Sequence, residues 1–202
     1  MKLLFATTNK GKLSELQALV AGLPIEVLSL KDVTAVEVVE DGATFEANAI
    51  KKATELARAT SLWALADDSG LEVAALGNAP GVYSARYAGE PCNHANNNAK
   101  LLRELAGRAD RSARFRCVAA LSDPTGRAET VSGACPGRIV EALRGAQGFG
   151  YDPLFVPEGF AQTFAEMGNE LKNRLSHRGR ALALAKEKWG ALIAANAAAF
   201  PR

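Results

Sequence analysis

The apolar runs Phe115–Leu121 and Ala128–Ala134 are separated only by a short stretch containing Ser122-Asp123-Pro124-Thr125-Gly126. Parallel strands need a crossover of about a dozen residues or more, so two strands joined this tightly predict an antiparallel hairpin. The earlier part of the chain has the opposite pattern. Lys2–Ala6 reads as a short strand, Leu13, Leu16, Leu19 and Val20 mark one stripe of a helix, and Ile25–Leu30 is a second strand after the turn at Gly22-Leu23-Pro24. Val33–Val39 is apolar around Glu37 and ends in Glu40-Asp41-Gly42. Thr44 then caps a helix whose face carries Phe45, Ala49, Ala53, Leu56 and Ala57. Leu62–Ala66 is the next strand. Strands alternating with helices, followed by a hairpin, predict an α/β fold with a mixed β-sheet and flanking helices.

No linker, repeat or low-complexity tract divides the chain, so residues 1–202 are expected to form a single domain. Leu71–Leu76 is expected to be a strand or edge segment, Asn78-Ala79-Pro80-Gly81 a turn, and Val82–Gly89 a loop with Arg86 between two tyrosines. His94–Leu105 reads as a helix with Leu101, Leu102 and Leu105 inward, His94 as a surface residue, and Arg108–Arg114 as an exposed basic connection. Pro136-Gly137-Arg138 and the glycines from Gly145 to Gly150 punctuate the chain after the hairpin. The last helix, capped by Ser176, presents Ala181, Ala185, Trp189, Leu192 and Ile193 on one face, and Ala194–Ala199 favours helix. A net charge of +2 gives no sign of a nucleic-acid-coating surface or a polybasic membrane anchor, so any basic character that matters is local. Cys92, Cys117 and Cys135 match neither a zinc pattern nor a disulfide framework, which points to reduced thiols in the cytoplasm. The apolar start at Met1–Ala6 is too short for a signal peptide or a membrane span.

Several stretches carry chemistry. Asp67-Asp68 ends the Leu62–Ala66 strand, with Ser69-Gly70 following as in a turn. Ligands of sheets with helical crossovers bind beyond strand ends, where two adjacent acids repel unless a cation or donor separates them. The plainer reading is a turn shaped by Asp67 and Ser69. Thr7-Thr8-Asn9-Lys10-Gly11-Lys12 links a strand to a helix N-terminus, a junction suited to phosphate, although its spacing is not that of a Walker loop. An ordinary solvated turn has the same composition. On the next helix Lys51 and Lys52 are adjacent, so one can face a cleft while the other faces water. Gly148-Phe149-Gly150-Tyr151-Asp152-Pro153 alternates glycines with aromatics, which suits close approach to a nucleobase and stacking on it; a core aromatic in a turn is the alternative. Lys172 and the Ser176-His177-Arg178-Gly179-Arg180 cluster supply donors for an acceptor edge, with simple helix capping as the competing account.

In order and spacing, five segments together resemble the inosine triphosphate pyrophosphatase family, the Ham1-type enzymes that clear non-standard purine nucleoside triphosphates. They are TTNKGK at Thr7–Lys12, DGATFEANAIKKA at Asp41–Ala53, ADDSGLEV at Ala66–Val73 with PGVYSARYAG after it, GFGYDP at Gly148–Pro153 and SHRGRAL at Ser176–Leu182. The resemblance implies an elongated, two-lobed ITPase-like fold with a central cleft, usually a homodimer, that needs Mg2+ and takes a nucleoside triphosphate such as ITP, dITP or XTP. It implies that Thr7, Thr8, Asn9, Lys10, Gly11, Lys12 and Lys52 meet the triphosphate, that Asp68 activates water, and that Ser69 contacts substrate. Phe149, Gly150, Tyr151, Asp152, Lys172, His177 and Arg178 would line the nucleoside pocket. One departure stands out. The family helix commonly reads T-F-x-E-N-A, and Ala47 stands where its metal-associated Glu would be, while Glu46 is turned by about 100°. The metal then leans on Asp67, Asp68, Glu40 or the triphosphate. Two rivals stay in view: a Maf-type pyrophosphatase for pyrimidine or modified-base triphosphates, which the GFGYDP and SHR segments oppose, and a nucleotide sensor without catalysis, for which Ala47 is the hint.

Overall fold

The computed structural model describes residues 2–7, 13, 17, 20, 25–34 and 37–199, with side chains of the last helix described through residue 192. Its described strands are β1 (Lys2–Phe5), β2 (Glu26–Ser29), β3 (Trp63–Val73), β4 (Ser112–Ser122), β5 (Ala128–Ile139) and β6 (Phe155–Pro157). They form one sheet in the order β2-β1-β3-β4-β5-β6. β1 runs parallel to both neighbours, with Leu3 opposite Val27 and Trp63, whereas β5 and β6 are antiparallel with Arg138 opposite Val156. The β4–β5 turn closes through Gly126 N–H to the Asp123 carbonyl (2.9 Å) and Asp123 N–H to the Arg127 carbonyl (3.0 Å). The predicted mixed α/β sheet is therefore observed. Its described α-helices are α1 (Phe45–Thr60), α2 (His94–Glu104), α3 (Asn169–Leu175) and α4 (His177–Ala199).

The chain separates into two compact units. The first comprises Met1–Asp68, Val118–Gly133 and Ala181–Arg202, and its core includes Leu3, Phe5, Leu65, Leu121, Leu182 and Trp189. The second comprises Ser69–Cys117 and Ala134–Arg180, with Leu71, Leu101, Phe115, Ile139, Phe155 and Phe164 in its core. In the second unit Phe115 meets Phe155 edge-on at 4.7 Å and lies stacked 6.0 Å from Phe164, arrangements that favour aromatic pairs beyond area burial alone. In the first, the Thr44 hydroxyl accepts from Ala47 N–H (3.1 Å) and starts α1 as its sequence predicts. The buried face of α1 is Phe45, Asn48, Ala49, Ala53, Leu56 and Ala57, the expected apolar stripe with one polar member added. Cys92 is exposed and Cys117 and Cys135 are buried, none of them in a disulfide. No helix among the described residues is long and apolar enough to cross a membrane.

The largest departure from expectation concerns Asp67-Asp68-Ser69-Gly70, which is no strand end: β3 runs unbroken through it. Leu65 precedes it at 3% exposure and Leu71 and Val73 follow at 0%, so a turn would unpack apolar groups on one side or the other. Burial of each such side chain is worth about 1.5–3 kcal/mol, which overrides the weak strand preference of Asp, Ser and Gly. The extended segment stops at Val73, and Ala74–Leu76 and Gly81–Arg86 are 3-10 turns rather than strand and open loop. The connection at Arg108–Asp110 is exposed as expected, but Arg111 after it clamps three carbonyls, those of Ile139 (2.7 Å), Val140 (3.0 Å) and Leu105 (3.1 Å), and β4 begins one residue later. Pro136-Gly137-Arg138 lies inside β5, where Pro136 still offers its carbonyl to Glu158 N–H (2.9 Å). On α4, Ala181, Ala185 and Trp189 are buried as expected, but Leu192 is 42% exposed; the Ile193 side chain lies outside those described.

Candidate active site

In the first unit the site is built by α1 against β3. Successive residues of a strand project to opposite faces, so the Asp67 and Asp68 carboxylates leave the sheet on different sides. Asp67 is 2% exposed, whereas Asp68 is half-buried. Asn48 Nδ2 donates to Asp68 Oδ2 at 2.9 Å, and one helical turn later Lys52 Nζ donates to the Asp67 carbonyl at 3.0 Å. Lys52 also pairs with Glu40 at 2.7 Å. The adjacent Lys51 turns away to Asp41 (2.7 Å), whose carboxyl is held below its ordinary range by that hydrogen bond. The two lysines therefore divide as the helix geometry requires. Thr7 follows β1 and is buried, while Thr8, Asn9, Lys10, Gly11 and Lys12 lie outside the described residues.

The expected metal shell of Asp67, Asp68 and Glu40 is not assembled: no three metal-ligating side chains cluster among the described residues. The opposite projection of the two aspartates and the pairing of Glu40 with Lys52 account for this. A hard divalent ion nevertheless fits what is present. Mg2+ commonly takes one or two protein carboxylates and completes its shell with phosphate oxygens and water, and Asp68 offers such a ligand. Glu46, neighbour of Ala47, accepts from Thr130 Oγ1 at 3.1 Å.

In the second unit the turn Gly148–Pro153 is organised by Asp152, which is 5% exposed. Its Oδ2 accepts from Phe149 N–H at 2.7 Å and from Lys172 Nζ at 2.6 Å. Gly148 has φ +79°, and a Cβ there would lie 2.2 Å from the same oxygen, so the turn requires glycine. The result is an aromatic ring held at the surface: Phe149 is 51% exposed, with Lys172 Nζ 5.0 Å from its centroid and the His94 ring 6.4 Å away. Tyr151 is different from the sequence expectation. It is 4% exposed, burial raises its pKa, and its hydroxyl donates to the Ser84 carbonyl at 2.8 Å, so it braces the turn from within the core. Gly150 contributes its carbonyl to Asn98 Nδ2 (3.0 Å).

Two donors stand at the start of α4. Arg178 is 7% exposed and its Nη2 donates to Ser69 Oγ at 3.3 Å. The half-buried His177 ring stacks on Phe115 at 4.8 Å with 12° between planes. Ser176 Oγ accepts from Gly179 N–H at 3.0 Å, the expected cap. Lys172 lies on α3 rather than on the last helix.

The sequence reading missed Asn48 and Asn98. Both occupy helix positions whose period is apolar, Asn48 beside Phe45 and Ala49 and Asn98 three residues before Leu101, and both are buried. An Asn inside an apolar stripe was the available signal, because buried amides are kept where they find partners.

Residues 3–188 match the family model described as the Ham1 family. The chain belongs to the Ham1 family. A "dITP/XTP pyrophosphatase" of Desulforamulus reducens is 54% identical over 190 residues, which cover 93% of this chain and 94% of that protein. The structure of a HAM1 protein from Coxiella burnetii superimposes with a TM-score of 0.91 at 40% identity, covering 95% of this chain and 99% of that one. The Staphylococcus aureus Ham1 protein gives 0.89 at 36% identity, covering 95% and 100%. In this Ham1 chain the described sequence motifs fall on α1, on β3, on the Gly81–Arg86 3-10 turn, on the Gly148–Pro153 turn and at the start of α4.

Proposed function

We propose that this Ham1 protein hydrolyses non-standard purine nucleoside triphosphates, ITP, dITP and XTP, to the nucleoside monophosphate and pyrophosphate. The observation that carries this reading is the pair Asp68 and Ser69, consecutive in β3. The first is bonded to Asn48 of α1 and the second to Arg178 of α4. In the first unit the carboxylate is thus held by an amide donor, and in the second the hydroxyl is held by a guanidinium. The names of the relatives point the same way.

In the reaction, Asp68 orients a water and takes its proton as the water oxygen attacks the α-phosphorus. The bond from that phosphorus to the bridging oxygen breaks, and pyrophosphate leaves. Lys52, with Asn9 and Lys12 of the Thr7–Lys12 loop, meets the charge gathering on the leaving group. Asp68 would hold Mg2+, which would supply charge neutralisation toward the triphosphate. Phe149 stacks on the base, over Lys172. Hypoxanthine and xanthine present an O6 acceptor where adenine presents an amino donor, so Arg178 and His177 favour the former. A site built to donate there rejects a mismatched edge by several kcal/mol. The resemblance extends the reading to a homodimer acting on the cytoplasmic nucleotide pool.

The test is incubation with Mg2+ and ITP, XTP, GTP, ATP or dTTP, with pyrophosphate and orthophosphate measured separately. Pyrophosphate from ITP and XTP is expected. Turnover of dTTP instead would indicate a Maf-type activity, binding without release a sensor, and orthophosphate cleavage of a different bond.

A further inference from the structure

Asn48 is 2% exposed, yet it sits on the apolar face of α1. Its amide is engaged at both ends. Gly42 N–H donates to Oδ1 at 2.7 Å, and Nδ2 donates to Asp68 Oδ2 at 2.9 Å. The first bond fixes the sense of the second: a backbone N–H only donates, so the amide oxygen faces Gly42 and the amide nitrogen faces Asp68. Gly42 is shaped for this approach, since a Cβ there would lie 2.6 Å from Asn48 Oδ1 and 3.0 Å from the Ala47 methyl. On the same helix face, Lys52 bonds the Asp67 carbonyl. α1 thus grips β3 at two consecutive residues, one through backbone and one through the carboxylate assigned to chemistry.

We propose that Asn48 is a positioning residue for the hydrolysis: the chain Gly42 N–H to Asn48 to Asp68 fixes the orientation of the carboxylate that meets the attacking water. The proposal rests on the reading of this protein as a triphosphate pyrophosphatase. A general base acts only within hydrogen-bond reach of the proton it takes, and an aspartate without an orienting partner samples rotamers that miss the water. The role is therefore on turnover, with little effect on nucleotide affinity.

Asn48→Asp keeps an oxygen for Gly42 N–H but replaces the N–H aimed at Asp68 with a carboxylate oxygen, so it removes the donor and adds charge. Asn48→Ser removes the contact without adding charge and serves if the aspartate variant unfolds. Pyrophosphate release from ITP with Mg2+ is measured for both beside thermal melting. Each folded variant is expected to lose about 10–100-fold in kcat, the usual effect of removing an orienting partner, while KM stays within about threefold. The exchange N48D/D68N restores the hydrogen bond with its sense reversed, so melting returns toward the wild-type value while turnover stays lost. A folded Asn48→Asp with kcat within about twofold of wild type overturns the proposal, as does a loss confined to KM. Wild-type protein that releases no pyrophosphate from any purine triphosphate overturns the functional reading instead, so the two failures are distinct.

Discussion

Asp152→Ala removes a carboxylate that is 5% exposed and accepts from both Phe149 N–H (2.7 Å) and Lys172 Nζ (2.6 Å). The lysine left behind has a side chain only 15% exposed and loses its ion-pair partner. Breaking a buried pair in this way costs about 3–5 kcal/mol. Lys172 retains some access to water, which favours the lower end, about 3 kcal/mol. For a chain of this size each kcal/mol shifts Tm by about 2–4 °C, so a fall of about 6–12 °C is expected. Asp152→Asn keeps an oxygen for Phe149 N–H and is expected to lose less. Lys172→Met in the Asp152→Ala background removes the stranded ammonium, so stability partly recovers and the double-mutant cycle shows a coupling of about 2 kcal/mol. Thermal melting and steady-state kinetics with ITP are the assays. KM rises because the Phe149 turn loses its tether, and kcat changes less because Asp68 is untouched. A Tm within about 2 °C of wild type, or equal costs for Lys172→Met with and without Asp152, refutes the reasoning.

Asp68→Asn is expected to abolish nearly all pyrophosphate release while equilibrium binding of ITP persists; retained turnover removes Asp68 as the base. Arg178→Ala is expected to narrow the preference for ITP over ATP by about tenfold or more, the worth of a hydrogen bond from a charged donor, and an unchanged ratio of kcat/KM means the base is read elsewhere. Gly148→Ala forces a Cβ to within 2.2 Å of Asp152 Oδ2 at a φ of +79°, so it is expected to destabilise by more than about 1 kcal/mol and to raise KM for ITP as Asp152→Ala does, which melting and kinetics check together.

How much of the fold is legible in the sequence depends on the range of the forces involved. The helical stripe of α1 and its Thr44 cap are local patterns, and they appear as expected. The Asp123–Gly126 turn between β4 and β5 is likewise local chemistry. β3 is the counterexample. Asp-Asp-Ser-Gly has the composition of a turn, and the burial of Leu65 before it and Leu71 after it, a tertiary fact, keeps the segment extended. At the site, the resemblance names the motif residues but not the different settings in which the structure places them. Tyr151 and Phe149 stand two apart in one glycine-rich turn, yet one is 4% and the other 51% exposed. Their sequence context is nearly symmetrical; the difference arises from tertiary packing, which puts Tyr151 in the second unit's core, where the Ser84 carbonyl receives its hydroxyl.

The continuity of β3 also bears on a difficulty that the sequence raises about its own acidic pair. Two carboxylates at a strand end would face one crevice and repel, which calls for a cation between them. In continuous extended backbone they diverge, so neither needs the other's neutralisation. Asp67 serves the site through its carbonyl, which takes the ammonium of Lys52, and Asp68 serves it through its carboxylate, which takes the amide of Asn48. Both bonds come from one face of one helix, spaced by a turn, and they meet residues that are consecutive in the strand. That matching of helical and strand periods requires Asn or a similar donor at 48 and a long cation at 52. An acid at either position would add charge against β3. The geometry therefore gives the Asp68 carboxylate an amide donor and the Asp67 carbonyl an ammonium, and the role proposed for Asp68 rests on the first of these bonds.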